Sequence, residues 1–292
     1  MKDILLEGCG TALVTPFKNG AVDYDAYAAL VERQVECGVK FLVPLATTGE
    51  TPALSAEEKL RLLELTREHA HGLPLLAGCG SNSLEGTRAA MELLDGHGAD
   101  AWLVVVPFYN KPTQEGMVNY FKAVAGISDK PIVIYNVPGR TGTNMEAETC
   151  VRLSRECPKI CSIKEASGRY FQGSMIIRDA APGFTVLSGD DDLTFALMAT
   201  GARGVISVAS NPAPREVSAM CDALLAGDYA TARDLHHRLS PLFKACFVES
   251  NPIPVKAAME LLGLMGREVR LPLSEATPAT VETIRTALAA LA

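Results

Sequence analysis

Eight short apolar segments alternate with amphipathic helical stretches along the chain, and this repeat restricts the possible folds more than any other feature. The apolar segments cover residues 10–15, 41–46, 73–79, 101–107, 131–137, 160–166, 184–189 and 204–209. They are rich in Val, Ile and Leu without polar alternation, which is typical of parallel strands that are buried on both faces. Eight consecutive βα units of this kind predict an α/β fold, the (β/α)8 TIM barrel.

An open, doubly wound α/β sheet is the alternative to the barrel. Such a sheet places a Gly-x-Gly-x-x-Gly turn directly after its first strand. Gly8 and Gly10 lack the third glycine and come too early in the chain, and Gly78 and Gly80 also lack it. The sequence therefore favours the barrel.

The pattern changes after residue 209, where only helical periodicity remains. Helices are predicted at residues 217–225, 229–247, 254–264 and 279–291, and the first of them is the eighth barrel helix. We therefore predict a barrel at residues 1–225 and a C-terminal helical domain at residues 226–292.

Three helix starts are predicted from capping residues. Ser55 and Glu58 form a capping box, and Asp23 opens the helix before it. Asn82 is the predicted N-cap of the following helix.

The chain has 292 residues and a net charge of −7, which argues against nucleic acid or an anionic membrane as a partner. Its apolar runs are far shorter than the ~20 residues that span a membrane. Residues 1–7 are too short and too charged a stretch for a signal peptide. The eight cysteines form neither a disulfide framework nor a metal-ligand cluster, so we expect a cytoplasmic protein without a metal ion.

Lys164 occupies a position where a charged side chain is costly. It lies near the end of the apolar segment 160–166, and burial there disfavours the ammonium form. A free amine is the reagent that forms a Schiff base with a carbonyl substrate. The alternative is that Lys164 pairs with Glu165 or reaches solvent, but adjacent strand residues point to opposite faces and pair poorly.

Other candidate residues lie at strand ends, where barrels of this type place their reacting groups. Thr47 and Thr48 precede a glycine and can bind a carboxylate, although a simple capping loop is the alternative. Tyr109 and Tyr135 are either core aromatics or proton carriers beside an imine. Arg140 suits bidentate carboxylate binding or, alternatively, a surface ion pair.

These side chains comprise one amine, two phenols, paired threonines and one arginine, without a histidine triad. Together they indicate enamine chemistry on a keto acid rather than hydrolysis. The acidic run 190–192 suggests a divalent cation at first sight, but we interpret it as the cap of a helix that starts near Leu193.

The strand-end motifs resemble those of the dihydrodipicolinate synthase family, within the pyruvate-dependent class I aldolases and N-acetylneuraminate lyases. The motifs cover residues 46–50, 109–112, 135–142, 163–168, 188–191 and 251–256. The resemblance extends over essentially the whole chain, including the C-terminal helices. Each motif is short, but their shared order and spacing are specific to the family.

The resemblance implies a role for each residue of the site. Lys164 forms the Schiff base with pyruvate. Thr47 and Thr48 hold the pyruvate carboxylate. Tyr135 passes protons that are relayed through Thr48 and through Tyr109, which the family inserts from a neighbouring subunit.

The resemblance also implies the second substrate and the product. Arg140 receives the carboxylate of L-aspartate 4-semialdehyde, while Gly189 and the carbonyl of Ile206 line the floor. The enamine attacks the aldehyde, and the substrate amine then displaces Lys164 to release 4-hydroxy-tetrahydrodipicolinate, the entry to diaminopimelate and lysine. No cofactor is implied, and the protein is expected to be at least a homodimer and commonly a homotetramer.

Other branches of the group remain as alternatives. N-acetylneuraminate lyases usually lack an arginine at the position of Arg140 and carry Ser-Thr in place of Thr47 and Thr48, so both positions favour the synthase. Ser167 replaces an expected threonine, a mild departure. The alternative enzyme is an N-acetylneuraminate lyase or a keto-deoxy-sugar acid aldolase, and a non-catalytic ligand sensor is the alternative of another class.

Feedback inhibition by lysine is a property of some family members, which bind it at a subunit interface. Asn82 matches that pocket. Ala56 and Lys59, however, stand where histidines occur, and Phe108 replaces a tyrosine. Because a cation at Lys59 repels a lysine ligand, we expect weak or absent inhibition.

Overall fold

The computed structural model describes residue 4 and residues 6–291. The barrel strands are β1 (Gly8–Ala12), β2 (Phe41–Val43), β3 (Leu76–Gly78), β4 (Ala101–Val105), β5 (Ile132–Asn136), β6 (Ile160–Glu165), β7 (Thr185–Ser188) and β8 (Gly204–Ser207). A short antiparallel hairpin at residues 17–22 follows β1. The predicted strands therefore all exist, although most are shorter than the apolar segments that predicted them.

The eight strands pair in parallel, with β1 between β2 and β8. Gly10 on β1 is in register with Phe41 on β2 and with Ile206 on β8. The ring closes between β2 and β3 through the bridge of Leu42 with Leu75. The predicted barrel is confirmed, and the doubly wound alternative is wrong because that sheet would leave both of these strands as open edges.

The helices of the barrel are α1 (Tyr24–Glu36), α2 (Ala56–His69), α3 (Leu84–Leu94), α4 (Gln114–Ala125), α5 (Ala147–Glu156), α6 (Tyr170–Asp179), α7 (Thr194–Ala199) and α8 (Pro214–Leu225). The C-terminal helices are α9 (Tyr229–Ala245), α10 (Ile253–Leu261) and α11 (Pro278–Leu291). Among the described residues, no helix is both long and apolar enough to cross a membrane.

The helix caps agree with the predictions in two of three cases. Asp23 caps α1, and both hydrogen bonds of the Ser55–Glu58 capping box are present at α2. The prediction for α3 is wrong by one residue, because Ser83 accepts the hydrogen bond from the Gly86 N–H. Both side chains are short polar caps, so the sequence alone does not distinguish Asn82 from Ser83.

Two apolar layers hold the barrel together. One fills the barrel interior, and the other lies between the strands and the surrounding helices. Gly10 faces inward, where a Cβ atom would come within 2.1 Å of the Phe41 ring. Only glycine leaves room for that buried ring, and full burial of such a ring contributes about 1.5–3 kcal/mol to stability.

The C-terminal helices continue the outer layer rather than forming a separate core. Leu239, Leu242 and Phe243 of α9 are buried in the same cluster as the side chains between the strands and the barrel helices. α9 packs against α8 and against α11. The division into two domains at residues 225 and 226 stays a prediction.

Candidate active site

β6 carries Lys164 on the inner face of the barrel, near the carboxyl end of the strand. Its register partners are Tyr135 on β5 and Leu187 on β7, which both belong to the interior cluster. The lysine side chain is buried, and its Nζ lies 4.3 Å from the centroid of the Tyr135 ring. Within the described part of the chain, no carboxylate forms an ion pair with this amine.

Glu165 points to the opposite side of β6, between the barrel and its helices. Its carboxylate accepts hydrogen bonds from Asn136 Nδ2 and Gln172 Nε2, both at 3.1 Å, and from the Ser167 N–H at 2.8 Å. Burial raises the pKa of this carboxyl, and these hydrogen bonds oppose the rise. The prediction that Lys164 and Glu165 do not pair is confirmed.

A cavity of about 690 Å³ opens at the carboxyl end of the barrel. Thr47, Tyr135 and Arg140 all line it. Lys164 is not part of the wall and contacts it through the Tyr135 ring. Parallel strands converge on this end of a barrel, so side chains that are far apart in sequence meet here.

The turn after β2 brings two hydroxyls to the same end of the barrel. Residues Thr47–Gly49 form one turn of 3-10 helix, and Glu50 follows in the left-handed region at φ 53°. Thr48 is buried, and its Oγ1 accepts a hydrogen bond from Asn251 Nδ2 at 3.0 Å. Thr47 rather than Thr48 lines the cavity.

Arg140 lies on the one-turn helix Pro138–Thr141 that follows β5. Its side chain is exposed at the cavity, and Nη2 donates a hydrogen bond to the backbone carbonyl of Asn251 at 3.2 Å. The guanidinium therefore forms no ion pair with a carboxylate of the described residues and is free to bind the carboxylate of a ligand.

Asn251 and Lys256 support the site from a motif that the sequence reasoning named without giving either residue a role. Asn251 contacts both Thr48 and Arg140. Lys256 is fully buried and forms an ion pair with Glu50 at 2.6 Å, just beyond the threonine turn. The signal for both was the motif at residues 251–256, but their partners lie more than 100 residues away in sequence.

Tyr109 does not reach the site of its own chain. It is 87% exposed and adopts φ 72°, a left-handed conformation that is uncommon for an aromatic residue. The phenol is therefore exposed to solvent and is not among the side chains that line the cavity. The preceding Phe108 lines the cavity.

Gly189 and Ile206 lie at the ends of β7 and β8. Ile206 is buried in the barrel interior. A Cβ atom on Gly189 would lie 2.5 Å from the Cβ of Ala166, so this position tolerates only glycine. The Gly189 N–H donates to the Glu165 carbonyl at 2.7 Å, which ties the end of β7 to β6.

The acidic run after β7 does not cap a helix through its side chains, which corrects our prediction. Asp191 is buried, and its Oδ2 accepts hydrogen bonds from the backbone N–H groups of Val208 and Ala209. Burial raises the pKa of Asp190 to about 6, with Asp192 adding to the rise and Lys164 opposing it. Sequence spacing suggested a local cap, but the partners of Asp191 lie on the strand-eight loop.

Similarity to known proteins agrees with this geometry. The profile of the Dihydrodipicolinate synthetase family matches residues 5–291. A curated 4-hydroxy-tetrahydrodipicolinate synthase of Koribacter versatilis is 50% identical over 276 residues, covering 94% of this chain and 92% of the relative. The crystal structure of dihydrodipicolinate synthase from Thermotoga maritima has a TM-score of 0.95 at 44% identity and covers 97% of each chain.

A second solved structure adds a ligand to this comparison. The dihydrodipicolinate synthase of Acinetobacter baumannii, solved in complex with pyruvate, has a TM-score of 0.95 at 39% identity. The match covers 98% of this chain and 99% of that one. The chain belongs to the dihydrodipicolinate synthetase family.

Proposed function

We propose that this protein condenses pyruvate with L-aspartate 4-semialdehyde to form 4-hydroxy-tetrahydrodipicolinate, the product in its relatives' name. The reaction makes the chain a lyase of lysine and diaminopimelate biosynthesis. The observation that carries the proposal is the buried amine of Lys164 at the mouth of the barrel, beside the Tyr135 ring and without a carboxylate partner among the described residues.

The reaction begins when the Lys164 amine attacks the keto carbon of pyruvate, and loss of water gives the imine. The imine withdraws electrons, so a methyl proton leaves and an enamine forms. The enamine carbon attacks the aldehyde of the second substrate. The α-amine of that substrate then displaces Lys164, which closes the ring and regenerates the free amine.

Thr47 and Thr48 hold the pyruvate carboxylate in this proposal. Thr48 accepts a hydrogen bond from Asn251, so its own proton is free to be donated to the carboxylate. Tyr135 transfers the protons of imine formation, and its ring contact with Lys164 supports that role. The relay through Thr48 stays a prediction, and Thr47→Val and Thr48→Val variants separate the two hydroxyls.

Arg140 receives the carboxylate of the aldehyde substrate. Its exposure at the cavity and the absence of a carboxylate partner among the described residues support this role. Gly189 and Ile206, at the ends of β7 and β8, form the floor in this proposal.

Tyr109 acts in the site of a neighbouring subunit. Its exposed phenol is the support for this role, because a proton carrier must lie within hydrogen-bond reach of the reacting atoms. A homodimer is then the minimal active unit, and we expect a homotetramer. Sedimentation of wild-type protein and of a Tyr109→Phe variant, together with their activities, tests this assignment.

The proposal needs no cofactor, because the imine itself is the electron sink. We also propose a cytoplasmic location. All eight cysteines are free thiols, which suits a reducing compartment.

Inhibition by lysine is expected to be weak or absent. Lys59 and Phe108 both line the cavity, and a cation there repels a positively charged effector. A lysine titration of the activity tests this, and inhibition below millimolar concentration contradicts it.

Reductive trapping tests the proposed function. Borohydride treatment with pyruvate is expected to leave a stable three-carbon adduct on Lys164, which peptide mass spectrometry locates. An adduct on another residue contradicts the mechanism, and no adduct supports a ligand sensor. A coupled assay that compares aspartate semialdehyde with sugar-derived aldehydes separates the synthase from other pyruvate-dependent aldolases.

A further inference from the structure

Asn251 joins the two residues that are proposed to hold the two substrate carboxylates. Its side-chain Nδ2 donates to Thr48 Oγ1 at 3.0 Å. Its backbone carbonyl accepts from Arg140 Nη2 at 3.2 Å. Thr48 lies on the turn after β2 and Arg140 on the turn after β5, so one residue of the C-terminal segment bridges two barrel loops.

The environment of Asn251 fits a role in the site. The residue is 5% exposed and also lines the cavity. Its Oδ1 is buried and has no hydrogen-bond partner among the described residues. Buried amide groups normally bond at both ends, whereas here only the N–H end is bonded, and its partner is Thr48.

A hydroxyl group has one proton to donate, and its oxygen can also accept. Because the amide N–H of Asn251 already donates to the Thr48 oxygen, the Thr48 proton must point elsewhere. Neither Thr48 nor Lys164 lines the cavity, so the acceptor for that proton is the carboxylate of a keto acid that binds deeper, beside Lys164.

We propose that Asn251 is a positioning residue that orients the Thr48 hydroxyl to donate to the carboxylate of the keto acid substrate. The inference rests on the proposed function, because it assumes that a keto acid binds beside Lys164. Asn251 does not touch the reacting atoms and acts through Thr48.

A separate contact holds the backbone of the same turn. Glu50 accepts a hydrogen bond from Lys256 Nζ at 2.6 Å and from the Arg270 N–H at 3.0 Å. The loss of the Asn251 side chain therefore leaves the turn anchored, and its effect falls on the direction of the Thr48 proton.

Two variants at this position test the proposal. Asn251→Ala removes the donor and is expected to raise the KM for pyruvate about fivefold, the worth of one hydrogen bond. Asn251→Asp keeps the shape but presents an acceptor, so the Thr48 proton turns toward the carboxylate of residue 251. This variant is expected to raise the pyruvate KM more than Asn251→Ala does, while kcat at saturating pyruvate changes less than the KM in both.

Asn119 provides the matched control for the change in charge. It is exposed on α4, and Asn119→Asp alters the net charge by the same amount. The pyruvate KM of this variant is expected to stay within about twofold of wild type, as is usual for a surface change. Thermal melting of every variant identifies any that is not folded. For the folded variants, borohydride trapping at Lys164 measures how adduct formation depends on pyruvate concentration without the second substrate.

A double-mutant cycle with Thr48→Val distinguishes positioning from general support of the fold. If Asn251 acts through the Thr48 hydroxyl, adding Asn251→Ala to Thr48→Val raises the pyruvate KM no further. The same fivefold rise in both backgrounds overturns the proposal, as does an unchanged KM in Asn251→Ala. Failure of wild-type protein to trap pyruvate on Lys164 is a different result, because it overturns the proposed function itself.

Discussion

Two buried lysines lie in different regions of the molecule, and their surroundings differ in one respect. Lys164, inside the barrel mouth, has its Nζ 4.3 Å from the centroid of the Tyr135 ring. Lys256, between the strand-two turn and α10, has its Nζ 4.2 Å from the centroid of the Phe17 ring. Lys256 forms an ion pair with Glu50, whereas Lys164 has no such partner among the described residues.

The difference separates a structural lysine from a reactive one. Burial lowers the pKa of Lys256, and the Glu50 carboxylate opposes that change and stabilises the ammonium. An ammonium held in this way has no lone pair for nucleophilic attack. Aromatic contact is common to both sites, so the carboxylate partner marks the difference in role.

The largest expected effect comes from replacing the unpaired lysine. Lys164→Met should lower kcat/KM by at least about 10³-fold, since the covalent nucleophile is lost. Its melting temperature should change little, because an unpaired amine is replaced by an apolar side chain of similar length. A coupled assay and thermal melting check both parts, and substantial remaining activity contradicts the assignment of the nucleophile.

The paired lysine should give the opposite result. Lys256→Met leaves the Glu50 carboxylate buried without its ammonium, and we expect a loss of about 3–5 kcal/mol in the free energy of unfolding. Urea unfolding at equal protein concentration measures it. Adding Glu50→Gln should recover much of the lost free energy of unfolding. If the double variant is as unstable as Lys256→Met alone, a buried unpaired charge is not the cause of the loss.

Arg140 lies in the barrel mouth with Lys164, so Arg140→Ala should change the kinetics more than the stability. A charge-assisted hydrogen bond to a carboxylate contributes about 1.5–3 kcal/mol, so the KM for aspartate semialdehyde should rise about 10- to 100-fold. The KM for pyruvate should stay within about twofold. Equal effects on both substrates contradict the assigned role of Arg140.

The smallest expected effect concerns the pH dependence of stability beside Lys164. The pKa of Asp190 is raised from 3.8 to about 6, so between these values the folded protein binds more protons at this residue than the unfolded chain does. Its contribution to stability therefore falls as pH rises through this range. In the Asp190→Asn variant this fall should be smaller by about 1–2 kcal/mol. Urea unfolding of both proteins across the range measures the free energy of unfolding at each pH. Parallel curves of that free energy against pH contradict the prediction.

Local periodicity was enough to predict most of the barrel. Buried parallel strands must be apolar on both faces, so the eight segments were visible without any partner information. Lys164 was found for the same reason, since a lysine interrupts such a segment. Strand ends were predicted less well because apolar residues continue into buried loops, as with Leu45, which follows β2 at φ 58°.

Contacts between distant segments were not predictable in this way. The pair of Lys256 and Glu50 spans 206 residues, and that of Asn251 and Thr48 spans 203. The spacing of the acidic run suggested a helix cap, yet Asp191 bonds the loop after β8. No local pattern reports such partners, because they depend on how the loops meet after the barrel has closed.

The amino-acid sequence by itself determined the repeat of βα units and the chemical groups at the strand ends, since both follow from local hydrophobic pattern and residue type. Only the tertiary structure decided which buried lysine has a carboxylate beside it, which hydroxyl Asn251 contacts, and that Tyr109 is exposed to solvent. The physical reason is that hydrogen bonds and ion pairs act over a few ångströms, and chain folding sets which groups come within that reach.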